Sequence, residues 1–259
     1  MPSAVPTPSP ILSSNLRRLG LVRMAEDLND VIARATRERW APVPLLEALV
    51  TAELEDRTRR SLERRLKHAR LGRFKPLADW EWDWPKSLPR PTLERVLSLD
   101  FLGRAENVIL VGPQGLGKTM LAKNIAHQVV LSGHSAFFST AADLLLDLSG
   151  QETTRALERR LRHYTRPSLL VIDEIGYLAY DAHAADLLFQ IVTRRYEQKA
   201  LLVTTNLSFK QWDTIFPNAS CAVALIDRLT HHAEIIPIEG ESYRRRDAER
   251  AHKARRASA

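Results

Sequence analysis

The chain has 259 residues, of which 44% are hydrophobic, and a formal net charge of +7. This length and composition exclude wholesale disorder and allow one α/β domain plus a smaller helical piece. The single cysteine, Cys221, excludes an internal disulfide framework, and no apolar run approaches the roughly 18 residues of a membrane span. The first ten residues lack the basic and apolar regions of a signal peptide. We therefore expect a cytoplasmic protein with no membrane partner.

Residues 1–14 begin with alternating Pro, Ser and Thr, which predicts a disordered arm, and helical patterns follow in residues 15–78. Apolar residues recur there at helical spacing in three groups, which are Leu16, Leu19, Leu28, Val31 and Ile32, then Leu45, Leu46, Leu49 and Val50, and then Leu62, Leu66 and Ala69. The sequence therefore predicts a small all-α N-terminal domain ahead of the main fold.

Positive charge is concentrated in two flanking segments. Residues 55–75 hold nine Arg or Lys against three acids, and residues 244–256 hold seven against two. Such clusters are typical of proteins that bind polyanions, so we expect double-stranded DNA as a partner. The candidate DNA-contacting residues are Arg59, Arg60, Arg64 and Arg65, and residues 244–259 form a basic tail. The alternative is that the first cluster is only a solvated helix face.

Residues 79–91 form a Trp- and Pro-rich linker. Trp80, Trp82 and Trp84 alternate with acids, so in an extended segment all three indoles face one side. Packing of these indoles against the neighbouring domain is the preferred interpretation. Base stacking is the alternative, but the interleaved acids would repel nucleic-acid phosphates. Pro85, Pro89 and Pro91 then mark a domain boundary.

From residue 92 to residue 243 the pattern alternates between apolar strands and helices. We predict strands at 107–111, 136–139, 169–172 and 200–204, and helices at 119–130, 155–163 and 185–197. Because strands that are apolar on both faces are typical of parallel sheets covered by helices, the fold class is α/β.

The first chemical motif is the loop Gly112-Pro113-Gln114-Gly115-Leu116-Gly117-Lys118-Thr119, between a predicted strand and a predicted helix. Glycines in this pattern let backbone N–H groups surround phosphates, and the helix N-terminus adds its positive dipole end. We expect Lys118 to reach the β- and γ-phosphates of ATP and Thr119 to bind Mg²⁺. Residues 112–119 and the adjacent Met120 are the predicted nucleotide-binding set.

Two acids follow the strand at 169–172. Asp173 is predicted to bind Mg²⁺ with Thr119, because a metal on a nucleotide phosphate needs a carboxylate at a strand end. Glu174 is predicted to polarise the attacking water, which hydrolysis requires and nucleotide binding does not. The alternative is that Glu174 only favours the start of a helix through its charge.

Asn206 follows the last predicted strand, where ligands bind in open α/β sheets. It is predicted to hold the attacking water or to contact the γ-phosphate.

These motifs resemble those of the additional-strand P-loop ATPases of the AAA+ type. Over about residues 15–244 the chain resembles the IstB-like helper ATPases of bacterial insertion-sequence transposition, with bacterial replicative helicase loaders as the next nearest group. The resemblance rests on GPQGLGKT, LLVIDEIGYL, LLVTTNLSF, the IDRL segment at 226–229 and the GESYR segment at 240–244.

The resemblance implies an arginine finger at Arg228, supplied to the site of a neighbouring subunit. Arg194 and Arg195 remain rivals, and the alternative for Arg228 is an ion pair with Asp227 or another nearby acid. Arg244 is the only candidate for a second sensor arginine. His231 and His232 have no partners at metal-ligand spacing in the sequence, so they are interpreted as surface or packing residues.

Together the motifs and the resemblance predict a Mg²⁺-dependent ATPase that assembles on DNA as a head-to-tail homo-oligomer and regulates a separate transposase. No spaced triad of acids for a strand-transfer site is visible, so the transposase is another protein. A helicase loader is the first alternative. A small-molecule kinase is the second, although Glu174 and Asn206 favour water as the acceptor.

Overall fold

The computed structural model describes residues 10–80, 88–177, 179–217, 219–243 and 245–246. The chain divides into two compact units between Arg64 and Arg65. No helix in these ranges has the length and apolar character needed to cross a membrane. Trp82 and Trp84 lie outside the described residues, so the predicted common face of the three indoles is not described.

The N-terminal unit is helical, as the sequence predicts, although its first helix begins at Pro10, inside the segment predicted to be a disordered arm. Its helices are α1 (Pro10–Arg18), α2 (Val22–Glu38) and α3, which begins in this unit and spans Pro42–Ala69. Its core consists of Leu16, Ala25, Leu28 and Leu49, with Leu21, Met24, Val31, Ile32 and Leu45 packed around them.

A buried carboxylate ties α3 to the preceding helices. Glu53 accepts a hydrogen bond from the Met24 backbone N–H at 3.0 Å and pairs with Arg57 at 2.8 Å. Arg57 also donates to the Gly20 carbonyl at 3.1 Å. These contacts join α3 to α2 and to the turn between α1 and α2.

The second unit is a parallel sheet with flanking helices. In chain order its elements are α4 (Arg90–Leu97), α5 (Asp100–Gly103), β1 (Asn107–Val111), α6 (Lys118–Leu131), β2 (Ala136–Thr140), α7 (Ala141–Ser149), α8 (Thr154–Thr165), β3 (Leu169–Ile175), α9 (Ala182–Arg195), β4 (Ala200–Thr205), α10 (Ala219–Thr230) and β5 (Ala233–Pro237). The predicted strands and helices are all present, with ends displaced by at most a few residues.

The five strands lie in the order β2-β3-β4-β1-β5, and every neighbouring pair is parallel. Because β4 separates β1 from β3, the sheet has the additional-strand arrangement that the resemblance implies. The core strand β4 is buried along its whole length. Parallel pairing brings the carboxyl ends of β1, β3 and β4 to one edge, which is where the predicted site residues follow their strands.

Candidate nucleotide-binding and ATPase site

The glycine loop joins the end of β1 to the start of α6. Gly117 is the residue before the helix and has a φ of +85°, which an L side chain adopts only with strain. A Cβ at this position would also lie 2.7 Å from the Trp80 ring. Backbone geometry and close packing therefore both require glycine here.

Lys118 is folded into the bend of this loop. Its ammonium donates to the Gly112 carbonyl at 2.6 Å and to the Pro113 carbonyl at 2.7 Å. The positive charge of Lys118 is thereby held within the bend of the loop, beside the N-terminus of α6. This is the position at which a phosphate would meet both the charge and the helix dipole.

Thr119 and Asp173 are brought together from α6 and β3. The Thr119 hydroxyl donates to Asp173 Oδ2 at 2.8 Å, and only 2% of Asp173 is exposed. A buried carboxylate beside a hydroxyl offers the oxygen ligands that Mg²⁺ prefers, so the pair fits the predicted metal-binding role.

Thr204, on β4, is a site residue that the sequence analysis missed. Its buried hydroxyl donates to Asp173 Oδ1 at 2.5 Å and accepts the Glu174 backbone N–H at 2.9 Å. One side chain thus positions both acids. The sequence contains a signal for this role, because the polar residue Thr204 stands near the carboxyl end of an apolar strand, two residues before Asn206.

Glu174 has an unusual backbone conformation. Its φ is +62°, and the pairing of β3 with β4 shifts register between Ile172 and Ile175. The bulge leaves the Glu174 side chain exposed while its neighbours in the strand are buried. With this backbone conformation, the Glu174 side chain lines the cavity above the glycine loop instead of packing in the core.

A cavity of about 620 Å³ extends over the glycine loop. Of the predicted site residues, residues 114–120, Glu174 and Asn206 line it, whereas Gly112, Pro113 and Asp173 are not among its lining residues. It is also lined by residues that the predictions did not include: Arg73, Phe74, Lys75, Asp79, Trp80, Lys123, Tyr177, Thr204 and Tyr243.

Ser242 and Tyr243, in the GESYR segment that contributes to the family resemblance, contact the glycine loop directly. The Tyr243 backbone N–H donates to the Gly115 carbonyl at 2.9 Å, and a Cβ on Gly115 would collide with Ser242. Ser242 and Tyr243 therefore border the candidate nucleotide site. Arg244, the candidate second sensor, lies outside the described residues.

Arg228 lies at the edge of the sheet formed by the amino ends of the strands, opposite the edge that carries the glycine loop. Its carbonyl accepts a hydrogen bond from the side chain of Asn107, the first residue of β1, whereas the glycine loop begins after the last residue of β1. Five residues of strand span about 16 Å. Arg228 is therefore too far from the glycine loop of its own chain to line that site.

The guanidinium of Arg228 packs over the Phe189 ring at 4.4 Å. It forms no ion pair with another residue in the described ranges, so the predicted alternative of a pair with Asp227 is not observed there.

The two rival arginines are engaged within their own chain. Arg194 makes a two-pronged contact with Glu158 at 2.9 and 2.8 Å. Arg195 is 1% exposed and donates to the carbonyls of Tyr164, Thr165, Pro167, Ser168 and Ala200. Burial lowers the pKa of the Arg195 guanidinium, and the five carbonyl acceptors offset this desolvation. Arg195 is thus a structural residue.

The four candidate DNA-contacting arginines have different surroundings. Arg59 and Arg60 are exposed, and both pair with the buried carboxylate of Asp56; Arg59 also pairs with Glu63. Arg64 is exposed, whereas Arg65 is half-buried and donates to the Val130 carbonyl. Two of the four guanidiniums are therefore already paired with carboxylates, and a third donates to a backbone carbonyl.

Strand β4 between β1 and β3, together with the glycine loop and the Thr119–Asp173 pair, makes this a P-loop ATP-binding protein of the AAA+ type. Sequence comparison then identifies the family. The chain belongs to the family described as IstB-like ATP binding protein, which it matches over residues 14–251.

Relatives of similar length come from insertion sequences. The chain is 36% identical over 236 residues to the "Insertion sequence IS232 putative ATP-binding protein" of Bacillus thuringiensis subsp. berliner, covering 91% of this chain and 94% of that protein. It is 35% identical over 230 residues to the "Insertion sequence IS5376 putative ATP-binding protein" of Geobacillus stearothermophilus, covering 89% and 92%. Among solved structures, DnaI is similar in fold, with a TM-score of 0.53 and 20% identity over 64% of this chain and 89% of that chain.

Proposed function

We propose that the chain is a Mg²⁺-dependent ATPase that acts as a DNA-binding helper in insertion-sequence transposition. The observation that carries the hydrolytic part is the arrangement at the ends of β3 and β4. Thr204 holds Asp173 and the Glu174 backbone together, and the bulge presents the Glu174 carboxylate to the cavity. A protein that only held nucleotide would not need a second, strained acid there.

Each residue has a separate role in this proposal. Lys118 and the backbone N–H groups of the glycine loop bind the phosphates, while Thr119 and Asp173 hold Mg²⁺. The metal supplies charge neutralisation at the phosphates when it is bound. Glu174 accepts a proton from the attacking water, and Asn206 orients that water or the γ-phosphate.

Two substitutions test these roles. Lys118→Ala should weaken ATP binding, because it removes the only charge inside the loop bend. Glu174→Gln should leave ATP affinity unchanged and reduce turnover by about 10²–10⁴-fold, the usual contribution of a general base. Nucleotide titration and phosphate release measure the two effects separately. Turnover by Glu174→Gln at the wild-type rate would refute the general-base assignment.

Arg228 is proposed to act on the nucleotide of a neighbouring subunit. Its location at the amino edge of the sheet, remote from its own glycine loop, supports action in trans. The nucleotide site lies at the carboxyl edge, so a head-to-tail contact would join the two edges. Contacts of that kind build rings or helical filaments.

A mixing experiment tests this arrangement. Arg228→Ala should still bind ATP but hydrolyse it slowly, whereas Lys118→Ala should hydrolyse it slowly because it binds ATP weakly. In a mixture, some interfaces combine an intact glycine loop with an intact Arg228, so activity should return. Arg194→Ala is the matched control, because it removes an exposed arginine of the same unit that already pairs with Glu158, and it should hydrolyse ATP at the wild-type rate. Failure of every mixing ratio to restore hydrolysis would remove the support for action in trans.

The transposition role is supported by the insertion-sequence relatives, and a separate transposase is the proposed protein partner. A helicase loader remains the second candidate. Capture of a purified transposase encoded by the same insertion sequence, set against capture of a replicative helicase, distinguishes the two. Preferential binding of the helicase would overturn the first.

Double-stranded DNA is proposed to bind the exposed arginines of α3. Among them Arg64 has no ion pair with another described residue, while Arg59 and Arg60 share Asp56. These three are better probes than the full set of four, because they are exposed, whereas Arg65 is half-buried and donates to the Val130 carbonyl.

The DNA experiment compares two triple variants of equal charge. Alanine at Arg59, Arg60 and Arg64 should reduce the salt dependence of duplex binding by up to about 2.7 in log–log slope, at about 0.9 per lost phosphate contact. Alanine at the control residues Arg155, Arg159 and Arg166, which are exposed in the other unit, should leave the slope unchanged. Equal slopes for both variants would show that the α3 cluster is only a solvated face.

A further inference from the structure

Three side chains with metal-binding atoms meet at the amino edge of the sheet, away from the nucleotide site. Glu197 follows α9, while His231 and His232 form the turn between α10 and β5. Glu197 Oε1 lies 3.9 Å from His231 Nδ1 and 3.5 Å from His232 Nε2. Both histidines are exposed, which agrees with their interpretation as surface residues. Glu197 is distant from them in sequence, so its position beside them could not be read from the spacing of the histidines.

The spacing of these atoms suits a small divalent metal. Zn²⁺ binds histidine nitrogen and carboxylate oxygen at about 2.0–2.1 Å in tetrahedral geometry, which separates neighbouring ligand atoms by about 3.3 Å. The ligand atoms of Glu197, His231 and His232 all lie within 4.8 Å of one another. Small rotations of three exposed side chains would therefore close the site around the metal.

The backbone beneath the cluster is fixed from several directions. Arg195, two residues before Glu197, anchors the end of α9 to five carbonyls. The His232 carbonyl accepts the Asn107 backbone N–H at 2.7 Å, and the His231 N–H donates to the Asp227 carbonyl at 2.9 Å. The ligands thus project from ordered turns, which lowers the entropy lost when a metal orders the side chains.

Tyr196 provides an outer contact. Its hydroxyl lies 2.7 Å from His231 Nδ1. Metal binding at His231 Nδ1 would release this hydroxyl, which could then hydrogen-bond a ligand of the metal and orient it.

We propose that Glu197, His231 and His232 form a surface site for a divalent transition metal of the zinc class. Two imidazoles and one carboxylate favour Zn²⁺, Co²⁺, Ni²⁺ or Cu²⁺ over Mg²⁺ and Ca²⁺, which prefer oxygen ligands alone. Three protein ligands leave a fourth position open to solvent. The bound metal joins the end of α9 to the turn that follows Arg228. This site is independent of the proposed ATP hydrolysis.

The test uses Co²⁺, whose visible absorbance reports tetrahedral coordination. The full chain, without a histidine tag, is stripped with EDTA, dialysed and titrated with Co²⁺ in excess Mg²⁺, which occupies sites made of oxygen atoms. We expect one Co²⁺ per chain and displacement by Zn²⁺. Glu197→Gln and His232→Ala should each weaken binding at least about tenfold, since even loss of an outer-shell partner costs about 10–100-fold.

His134→Ala and Cys221→Ser are the controls. They remove an exposed histidine and the single cysteine from other parts of this unit, and Co²⁺ affinity should stay at its wild-type value. Circular dichroism of each variant checks that the fold is retained. The proposal is overturned if Co²⁺ does not saturate the protein below about 1 mM, or if Glu197→Gln and His232→Ala bind it as the wild type does.

Discussion

Thr204→Val should slow ATP hydrolysis while leaving the fold in place. Valine keeps the shape of the side chain but removes the hydroxyl that donates to Asp173 and accepts the Glu174 N–H. A hydrogen bond to a charged group contributes about 1.5–3 kcal/mol, and an unpaired buried N–H costs about 1–3 kcal/mol. If the hydrogen bond to Asp173 stabilises only the transition state, its loss lowers kcat by about 10- to 150-fold. The unpaired Glu174 N–H then lowers the free energy of unfolding.

Phosphate release at varied ATP concentration measures kcat and KM, and urea denaturation measures stability. Because Asp173 and Glu174 are misplaced rather than removed, KM should change by only a few-fold. Thr204→Ser keeps the hydroxyl and should restore kcat. Ser139→Ala is the matched control, since it deletes a buried hydroxyl on β2 that bonds only to the Thr140 carbonyl among the described residues. A folded Thr204→Val protein with kcat within twofold of wild type would refute the positioning role.

Three further predictions concern packing and charge. Gly117→Ala should weaken ATP binding at least about tenfold in calorimetric titration, because the left-handed backbone costs about 1–2 kcal/mol and the new Cβ meets the Trp80 ring; full affinity in this variant would contradict the strain argument. Arg195→Met should lower the free energy of unfolding in urea by about 3–5 kcal/mol, because five carbonyls lose their donor, and a loss below 1 kcal/mol would show that they find other partners. Burial lowers the pKa of His163, so the unfolded chain binds the proton more readily and stability should fall as pH drops below about 6.5; His163→Gln should flatten that dependence, and an unchanged pH profile would exclude His163 as its source.

The glycine loop, the acid pair and the order of strands and helices were predictable because each leaves a local pattern. Apolar strands that end in polar residues mark the carboxyl edge of a parallel sheet, and the loop lies between a strand and a helix. Glu174 and Asn206 therefore line the cavity with the glycine loop.

Contacts between distant segments were not predictable in this way. The sequence predicts that Trp80 packs against the neighbouring domain but does not show that its ring meets Gly117. Nor does any local pattern link Tyr243 to Gly115, with which it forms a hydrogen bond. The sequence also did not show which arginines are buried. Burial of Arg195 depends on five carbonyls contributed by the end of α8, the loop after it and the start of β4. A single sequence gives charge and spacing but does not say which charges are neutralised by folding.

The backbone conformation of Glu174 lowers the stability of the fold, while its side chain has the proposed role in ATP hydrolysis. A residue with a Cβ at a φ of +62° destabilises the native state by about 1–2 kcal/mol, and asparagine or glycine would relieve much of that strain. Selection for stability alone would therefore favour replacement of the glutamate, whereas the proposed role in hydrolysis would favour keeping it. If that role is correct, a copy of this chain released from the need to hydrolyse ATP would become more stable on losing Glu174.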